Sequence, residues 1–141
     1  MASVKTYNSR LVTVALGTHS VTGFADDSFI TVEPLGDGVT SKSGCDGEVA
    51  RAVDPNEQYS VKITLLQTSS SNAFLQAQYN ADKTNGDGAF PILIKDLKGN
   101  FVFSADAAWV VKPPSRAYGK ETNNREWELQ TGQATVNEGT Y

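Results

Sequence analysis

The stretch YSVKITLLQ, residues 59–67, carries the clearest structural signal in the chain. Apolar side chains occupy the odd positions from Tyr59 to Leu65, and polar side chains occupy the even positions between them. Successive side chains of a strand point to opposite faces of the sheet. The pattern therefore predicts a half-buried β-strand, with one face in a core and the other in water.

The same alternation recurs along the chain. From Phe101 to Val111 every odd position is apolar, which places Trp109 on the predicted buried face. Pro113 and Pro114 end that strand, because neither can donate to a ladder of hydrogen bonds. Together these patterns predict a mainly β fold of about eight strands. The other candidate strands are residues 11–17, 21–24, 29–33, 48–53, 90–97 and about 125–136.

One segment has a different composition. SSSNAFLQAQYNADK, residues 69–83, contains no β-branched residue and is rich in Ala, Leu and Gln, which favour helices. A serine at its start can cap a helix and Gly86 can end one. We therefore expect one flanking α-helix over about 70–83. Its expected apolar stripe is Phe74, Ala77 and Ala81.

The stretch PLGDGVTSKSGCDG, residues 34–47, holds four glycines and few apolar residues. It predicts a long loop or an extended hairpin. A segment of this kind is either a structureless surface loop or a functional arm, and the sequence leaves both open.

Composition excludes several classes of protein. The net charge of the 141 residues is −4 and the twelve Lys and Arg residues are scattered, which argues against a protein that grips nucleic acid. One Cys and one His cannot build a zinc site. We expect His19 to be an exposed turn residue and Cys45 to be an inert turn thiol. No apolar run suits a membrane span or a signal peptide, so we expect no membrane anchor and synthesis in a cytoplasm.

The sharpest candidate for enzymatic chemistry lies in NNREWELQTG, residues 124–133. Glu126 and Glu128 would share one strand face about 6.6 Å apart, near the lower limit for the two acids of an inverting glycosidase. Neighbours on one face cannot flank a scissile bond well, and nothing in the sequence would separate their pKa values. We expect instead a polar face of Glu126, Glu128 and Gln130, opposite a buried face of Trp127 and Leu129, and no enzyme.

Four stretches taken in order resemble the tail-tube proteins of contractile-tailed bacteriophages. The resemblance runs from about Val4 to Thr135 and departs at Cys45, where a small residue such as Ala is expected, and within residues 32–38. The stretches are TGFADDSFITVE (22–33), GCDGEVAR to YSVKITLLQTSSSNAFLQ (44–76), FPILIKDLKG (90–99) and AWVVKPPSRAYGKETNNREWELQTG (108–132).

The resemblance implies a β-sandwich or barrel-like domain spanning residues 1–141, with a flanking helix and no cofactor. It implies hexameric rings that stack into a hollow tube within the virion, after assembly in the host cytoplasm. Implied partners are further copies, a tail sheath protein, a tape-measure protein, baseplate or tube-initiator proteins, and DNA that crosses the lumen without specific binding.

The resemblance also suggests roles for the two polar segments. The candidate channel-facing residues are Glu126, Glu128, Gln130 and Lys62. The candidate inter-ring arm consists of Asp37, Gly38, Val39, Thr40, Ser41 and Lys42. A tube subunit of a related injection machine, such as a phage-derived bacteriocin or a secretion system, is an open alternative. A monomeric β-sandwich binding module is another, although it would require a row of exposed aromatic rings.

Overall fold

The computed structural model describes residues 3–26 and 28–140 and confirms the mainly β fold with one α-helix. A short 3₁₀ turn, Ser9–Leu11, leads into the first strand. The strands are β1 (Val12–Leu16), β2 (His19–Ser20), β3 (Ile30–Pro34), β4 (Val39–Ser43), β5 (Val49–Val53), β6 (Tyr59–Leu66), β7 (Phe90–Asp96), β8 (Phe101–Lys112), β9 (Asn124–Thr131) and β10 (Ala134–Asn137), and the helix is α1 (Ser71–Asn85).

Eight of the strands form one antiparallel sheet. Its order is β2-β1-β7-β8-β9-β6-β3, and β10 pairs with β8 beside β9. Strands β4 and β5 pair only with each other and form a separate hairpin. The main sheet encloses one hydrophobic cluster to which both of its halves contribute, so the architecture is barrel-like. The largest fully buried side chains in it are Trp127, Phe103, Leu16, Ile63, Leu65, Leu75, Ile92 and Leu129.

A β-bulge in β8 reverses which face of that strand is buried. Phe90 of β7 pairs with Ala108, whereas Ile92, two residues later, pairs with Ala105. The extra residue in β8 shifts its alternation, so Ala105 and then Ala108 are buried. The prediction that Trp109 lies on the buried face is therefore wrong. A bulge also bends and twists the strand, which helps the sheet to curl around its core.

The predicted strand over about residues 125–136 is two strands in one register. Thr131 lies opposite Ala108 and Ala134 opposite Ala105, so the pairing with β8 continues across the break at residues 132–133. Gln133 occupies the break and fixes the segment before β6. Its side-chain oxygen accepts from the N–H of Glu57 at 2.8 Å, and its side-chain nitrogen donates to the carbonyl of Pro55 at 3.1 Å.

Helix α1 forms as predicted and closes one side of the core. It ends at Gly86, whose φ of +78° and N–H bond to the carbonyl of Asp82 are typical of a helix C-terminus. Its buried stripe is centred on Ser71 and Leu75, both fully buried. The expected stripe is displaced, because Ala77 is exposed. The indole N–H of Trp127 donates to Asn72 at 2.9 Å and links the helix to β9.

Leu75 anchors this helix, and its truncation tests the packing. We expect Leu75→Ala to lower the free energy of unfolding by about 2–5 kcal/mol, because it removes a fully buried side chain and leaves a cavity. The matched control is Leu97→Ala, since Leu97 is 55% exposed and its loss should cost less than about 0.5 kcal/mol. Urea unfolding of dilute subunit, followed by circular dichroism, measures both. Equal losses would show that α1 is not held by Leu75.

Candidate functional site

The predicted polar residues of β6 and β9 share one sheet surface. Glu126, Glu128 and Gln130 alternate along β9, and Lys62 of β6 lies directly opposite Glu128. Thr64 lies opposite Glu126 in the same register. We call these five residues the polar sheet face. Their neighbours on β9, Trp127 and Leu129, are fully buried on the other side.

Glu128 has a lysine beside it on each adjacent strand. Lys62 faces it from β6, and Lys112 pairs with it from β8. Residues directly opposite across strands approach within about 4.5–5.5 Å at Cβ, closer than Glu126 and Glu128 approach each other along their strand. The surroundings of Glu128 are thus those of a mixed-charge surface, whereas a catalytic acid typically lies in an apolar pocket.

Trp109 lies at the border of this surface. The bulge in β8 turns it away from the core, where Ala108 and Val110 point, and places it opposite Gln130. Its side chain is half-buried there. Trp127, in contrast, is fully buried. A sugar-binding platform would need several exposed rings in a row, and this surface offers one half-covered indole.

The predicted arm segment contributes the first strand of a hairpin, β4, and β5 is the second. We call this hairpin, residues 39–53, the arm. β4 and β5 run antiparallel with Val39 opposite Val53 and Ser43 opposite Val49, and every residue of both strands is exposed. Val39, Val49 and Val53 point to the same side of the hairpin and are 56%, 61% and 72% exposed. An isolated two-stranded hairpin is marginal in water, and uncovered apolar patches mark contact surfaces. The arm leaves the domain between β3 and β6, next to the polar sheet face.

Asp54 holds the base of this arm. Its carboxylate accepts from the backbone N–H of Asp37 at 2.9 Å and of Asn56 at 3.0 Å, and its own N–H donates to the carbonyl of Gly38 at 2.7 Å. These two donors, Asp37 first, hold the pKa of the Asp54 carboxyl below its ordinary value of 3.8. Gly36 is required here, because a Cβ would lie 2.4 Å from the carbonyl oxygen of Asn56.

His19 does not lie in an exposed turn. It belongs to β2 and is half-buried, with its ring stacked on Phe74 at 4.4 Å between centroids. Its Nε2 lies 2.9 Å from Oγ of Ser71, which also accepts from the N–H of Thr22 at 3.1 Å. Ser71 is fully buried, so a substrate cannot reach its hydroxyl. The pair docks the start of α1 onto the β1–β2 hairpin.

Arg125 is a buried charged residue that no sequence motif marks as functional. It lies on the core-facing side of β9 with only 5% of its surface exposed. Its Nη1 has no hydrogen-bond partner within the described part of the chain. The ring of Tyr118 covers the guanidinium, with 5.3 Å between Cζ and the ring centroid. The only sequence signal is its odd position, in phase with Trp127 and Leu129.

A groove of about 830 Å³ opens between the two outer regions of the main sheet. Val12 and Ile94, on β1 and β7, line one side, and Ile30 and Val32, on β3, line the other. Strands β2 and β3 end the strand order, so the sheet is not closed by pairing within the chain that the structure describes. Open edges of this kind can pair with other chains.

Cys45 is an exposed free thiol at the tip of the arm. Across residues 3–26 and 28–140, no group of three or more His, Cys, Asp and Glu side chains is placed to hold a metal ion. None of the helices in these two ranges has the length and apolarity needed to cross a bilayer.

Comparisons with known proteins agree on one family and one fold. Residues 3–139 match the family model described as bacteriophage PhiTE tail tube protein. A curated relative, structural protein ORF10 of Pseudomonas phage KPP10, is 30% identical over 142 residues, covering 95% of this chain and 82% of the relative.

Solved structures share the fold at low identity. A chain of the anti-feeding prophage cap, which terminates a tube, aligns with a TM-score of 0.64 at 13% identity, covering 99% of this chain and 95% of the other. Two chains of an extracellular contractile injection system, PVC, also align. The chain from its extended sheath–tube complex has a TM-score of 0.63 at 12% identity, covering 94% of this chain and 92% of the other. The chain from its sheath/tube terminator has a TM-score of 0.65 at 12% identity, covering 96% of this chain and 99% of the other.

Acid should loosen the base of the arm through Asp54. Because the pKa of its carboxyl is lower in the folded state, the carboxylate stabilises the hairpin base above pH 3.8. This contribution is lost as the pH falls through the lowered pKa. We expect the amide signals of Asp37 and Asn56 to titrate together in NMR spectra, with a midpoint below 3.8. Asp54→Asn is the control and should abolish that titration. A midpoint at or above 3.8 would contradict the assignment.

Proposed function

This chain belongs to the bacteriophage PhiTE tail tube protein family, a family of phage tail structural proteins, and we propose that six copies close into a ring. Rings stack into the hollow inner tube of a contractile tail, and phage DNA crosses the lumen into the host. The role is structural and not catalytic. Subunits assemble in the host cytoplasm and remain in the virion.

The observation that carries the proposal is the open edge of the main sheet. β3 and the β1–β2 region end the strand order, and their backbone groups have no further strand beside them within the described residues. Such edges are a liability in a lone domain, and a closed ring uses them by continuing each sheet into the next copy. Half-buried apolar residues along the groove, Val12, Ile30 and Val32, would then become fully covered.

The polar sheet face would line the lumen. Six copies at −4 carry −24 formally before any asymmetry of the faces, and a net-negative ring disfavours binding of phosphates. Lysines beside Glu128 moderate this charge, so the wall presents alternating signs to passing DNA. A water-filled channel also solvates carboxylates that a core could not hold.

The arm would connect stacked rings. Its three valines are more than half exposed in their own subunit, and a neighbouring ring would cover them. The remaining proposed partners act on the whole tube: a sheath protein outside, a tape-measure protein inside during assembly, and baseplate or initiator proteins at the end. The likeness to chains of a sheath–tube complex and of a sheath/tube terminator supports the sheath partner at the level of fold.

A tube subunit of an extracellular injection system is the second candidate. The observation in its favour is the structural similarity to the PVC and anti-feeding prophage chains. Sequence similarity favours the phage tail, because the family model and the curated relative are both from phages.

Electron microscopy of concentrated purified protein tests the proposal. We expect hollow tubes in negative stain, built from rings with six copies. A persistent monomer, with or without affinity for sugars, would refute it.

An arm-less variant extends this test to stacking. Residues 39–53 are replaced by Asn-Gly, which can turn between Gly38 and Asp54 because these residues are hydrogen-bonded at the hairpin base. We expect the variant to fold, by circular dichroism, but to form no long tubes. Cys45→Ser, at the exposed tip, is the control that keeps the arm. Normal tubes from the arm-less variant would refute the role of the arm.

The lumen assignment is tested by charge. We expect Glu126→Gln with Glu128→Gln to assemble as the wild type does, since water solvates both side chains. We expect tubes carrying Glu126→Lys to retain short duplex DNA in a salt-dependent manner, measured by co-sedimentation. Asp87→Lys is the matched control, because Asp87 is equally exposed but lies after α1. Equal DNA retention by both lysine variants would remove Glu126 from the lumen. Loss of tubes in the glutamine variant would mean that the carboxylates make subunit contacts.

A further inference from the structure

Arg125 is a buried cation whose hydrogen-bonding capacity is not filled by the residues that the structure describes. It pairs in register with Leu65 of β6 and points toward the interior, away from the polar sheet face. Only 5% of its surface is exposed, and Nη1 is buried with no hydrogen-bond partner among residues 3–26 and 28–140. A guanidinium remains charged at any pH that a folded protein survives, so it cannot escape the cost of burial by losing its proton.

The groups around Arg125 compensate for its charge only in part. The ring of Tyr118 provides a cation–π contact, with 5.3 Å between Cζ of Arg125 and the ring centroid. No ion pair with a carboxylate is formed by Arg125 within residues 3–26 and 28–140. Natural proteins pair buried charges, because an unpaired charge loses its hydration and gains no attraction in return.

The cover over Arg125 is thin. Tyr118 is itself 77% exposed and lies in the segment between β8 and β9, residues 113–123. Pro114 is buried and Pro113 half-buried, but residues 115–123 are all exposed. Two hydrogen bonds tie that segment to the rest of the domain: Arg116 donates to Gln76 of α1 at 2.6 Å, and the N–H of Asn123 donates to Gln67 at 3.0 Å. One more lies within it, from the side-chain nitrogen of Asn123 to the carbonyl of Ala117 at 3.0 Å. A small movement of Tyr118 would therefore open the guanidinium to a group from outside.

We infer that, when subunits assemble, a carboxylate from a second copy of this chain forms an ion pair with the Arg125 guanidinium. This carboxylate approaches over residues 113–123. The inference rests on the proposed tube, in which each subunit is surrounded by copies of itself. Guanidinium binds carboxylate through two parallel hydrogen bonds, and Nη1 has such a bond to give. The chain has carboxylates to supply, since it carries sixteen Asp and Glu against twelve Lys and Arg.

Two other occupants fit the structure less well. DNA in the lumen would meet the face of Glu126 and Glu128, and Arg125 points to the opposite side of β9. A sheath protein would bind only after the tube has formed. The unpaired buried charge destabilises each subunit earlier, from the time it folds. A copy of the same chain is present at that stage.

Arg125→Met tests the inference, because methionine keeps an apolar stem and removes the charge. We expect the unassembled variant to melt no lower than the wild type, since replacing an unpaired buried charge by an apolar side chain removes its desolvation cost. We expect the protein concentration needed for tube formation, measured by sedimentation, to rise at least about tenfold, the effect of losing one charged hydrogen-bonded contact. Lys83→Met, which removes an exposed cation near the end of α1 and outside residues 113–123, is the matched control and should assemble like the wild type.

The outcomes separate this inference from the proposed function. If wild-type protein forms no tubes, the proposed function fails. If wild type and Arg125→Met form tubes at the same concentration, only the inference fails. Should the variant not fold, a reconstruction of wild-type tubes decides: a carboxylate of another copy within 4 Å of the Arg125 guanidinium supports the inference. A carboxylate of the same chain, a sheath residue or water alone overturns it.

Discussion

Strand β8 holds the main sheet together, because its twelve residues pair with β7 on one side and with β9 and β10 on the other. One extra residue in its middle decides what each half buries. Before the bulge, Phe103 and Ala105 face the core, and after it Ala108 and Val110 do. The sheet can therefore curl around one cluster of side chains while its outer surface stays continuous from β8 to β3. The position of Trp109 outside the core follows from this arrangement.

Much of this fold could be predicted from the sequence, and the failures have physical causes. The alternation around Trp127 and Leu129 predicts their burial, since period two is dictated by the strand itself. The alternation fails for Trp109, because the bulge inserts one extra residue into β8 and no residue type in the sequence marks its position. Helix α1 was predicted from its residue types, but its buried stripe was not, since Ala suits either face. The sequence does not distinguish a loop from a hairpin for the arm. The base of the hairpin is held by Asp54, which is seventeen residues from its partner Asp37.

The candidate surfaces were predictable to differing degrees. Strand alternation alone places Glu126, Glu128 and Gln130 together, and register with β6 adds Lys62. The surroundings of His19 depend on Ser71, 52 residues along the chain. Those of Arg125 depend on how the irregular segment before β9 places the ring of Tyr118, which no periodic pattern predicts. The solved relatives make a related point. At 12–13% identity their folds still align with TM-scores of 0.63–0.65, as expected when burial pattern and pairing, more than particular side chains, specify a sheet.

The arm consists of two strands that bury nothing in their own subunit. Substitutions along it consequently cost the folded domain little, provided that Gly36 and the hydrogen bonds of Asp54 remain. The residues that fold the domain and those of the proposed contact surface are thus separate along the chain. In the proposed tube, substitutions in the arm would change which copies fit one another while the folded domain stays the same, and compatibility between tubes would become a property of the residues in β4, β5 and their turn.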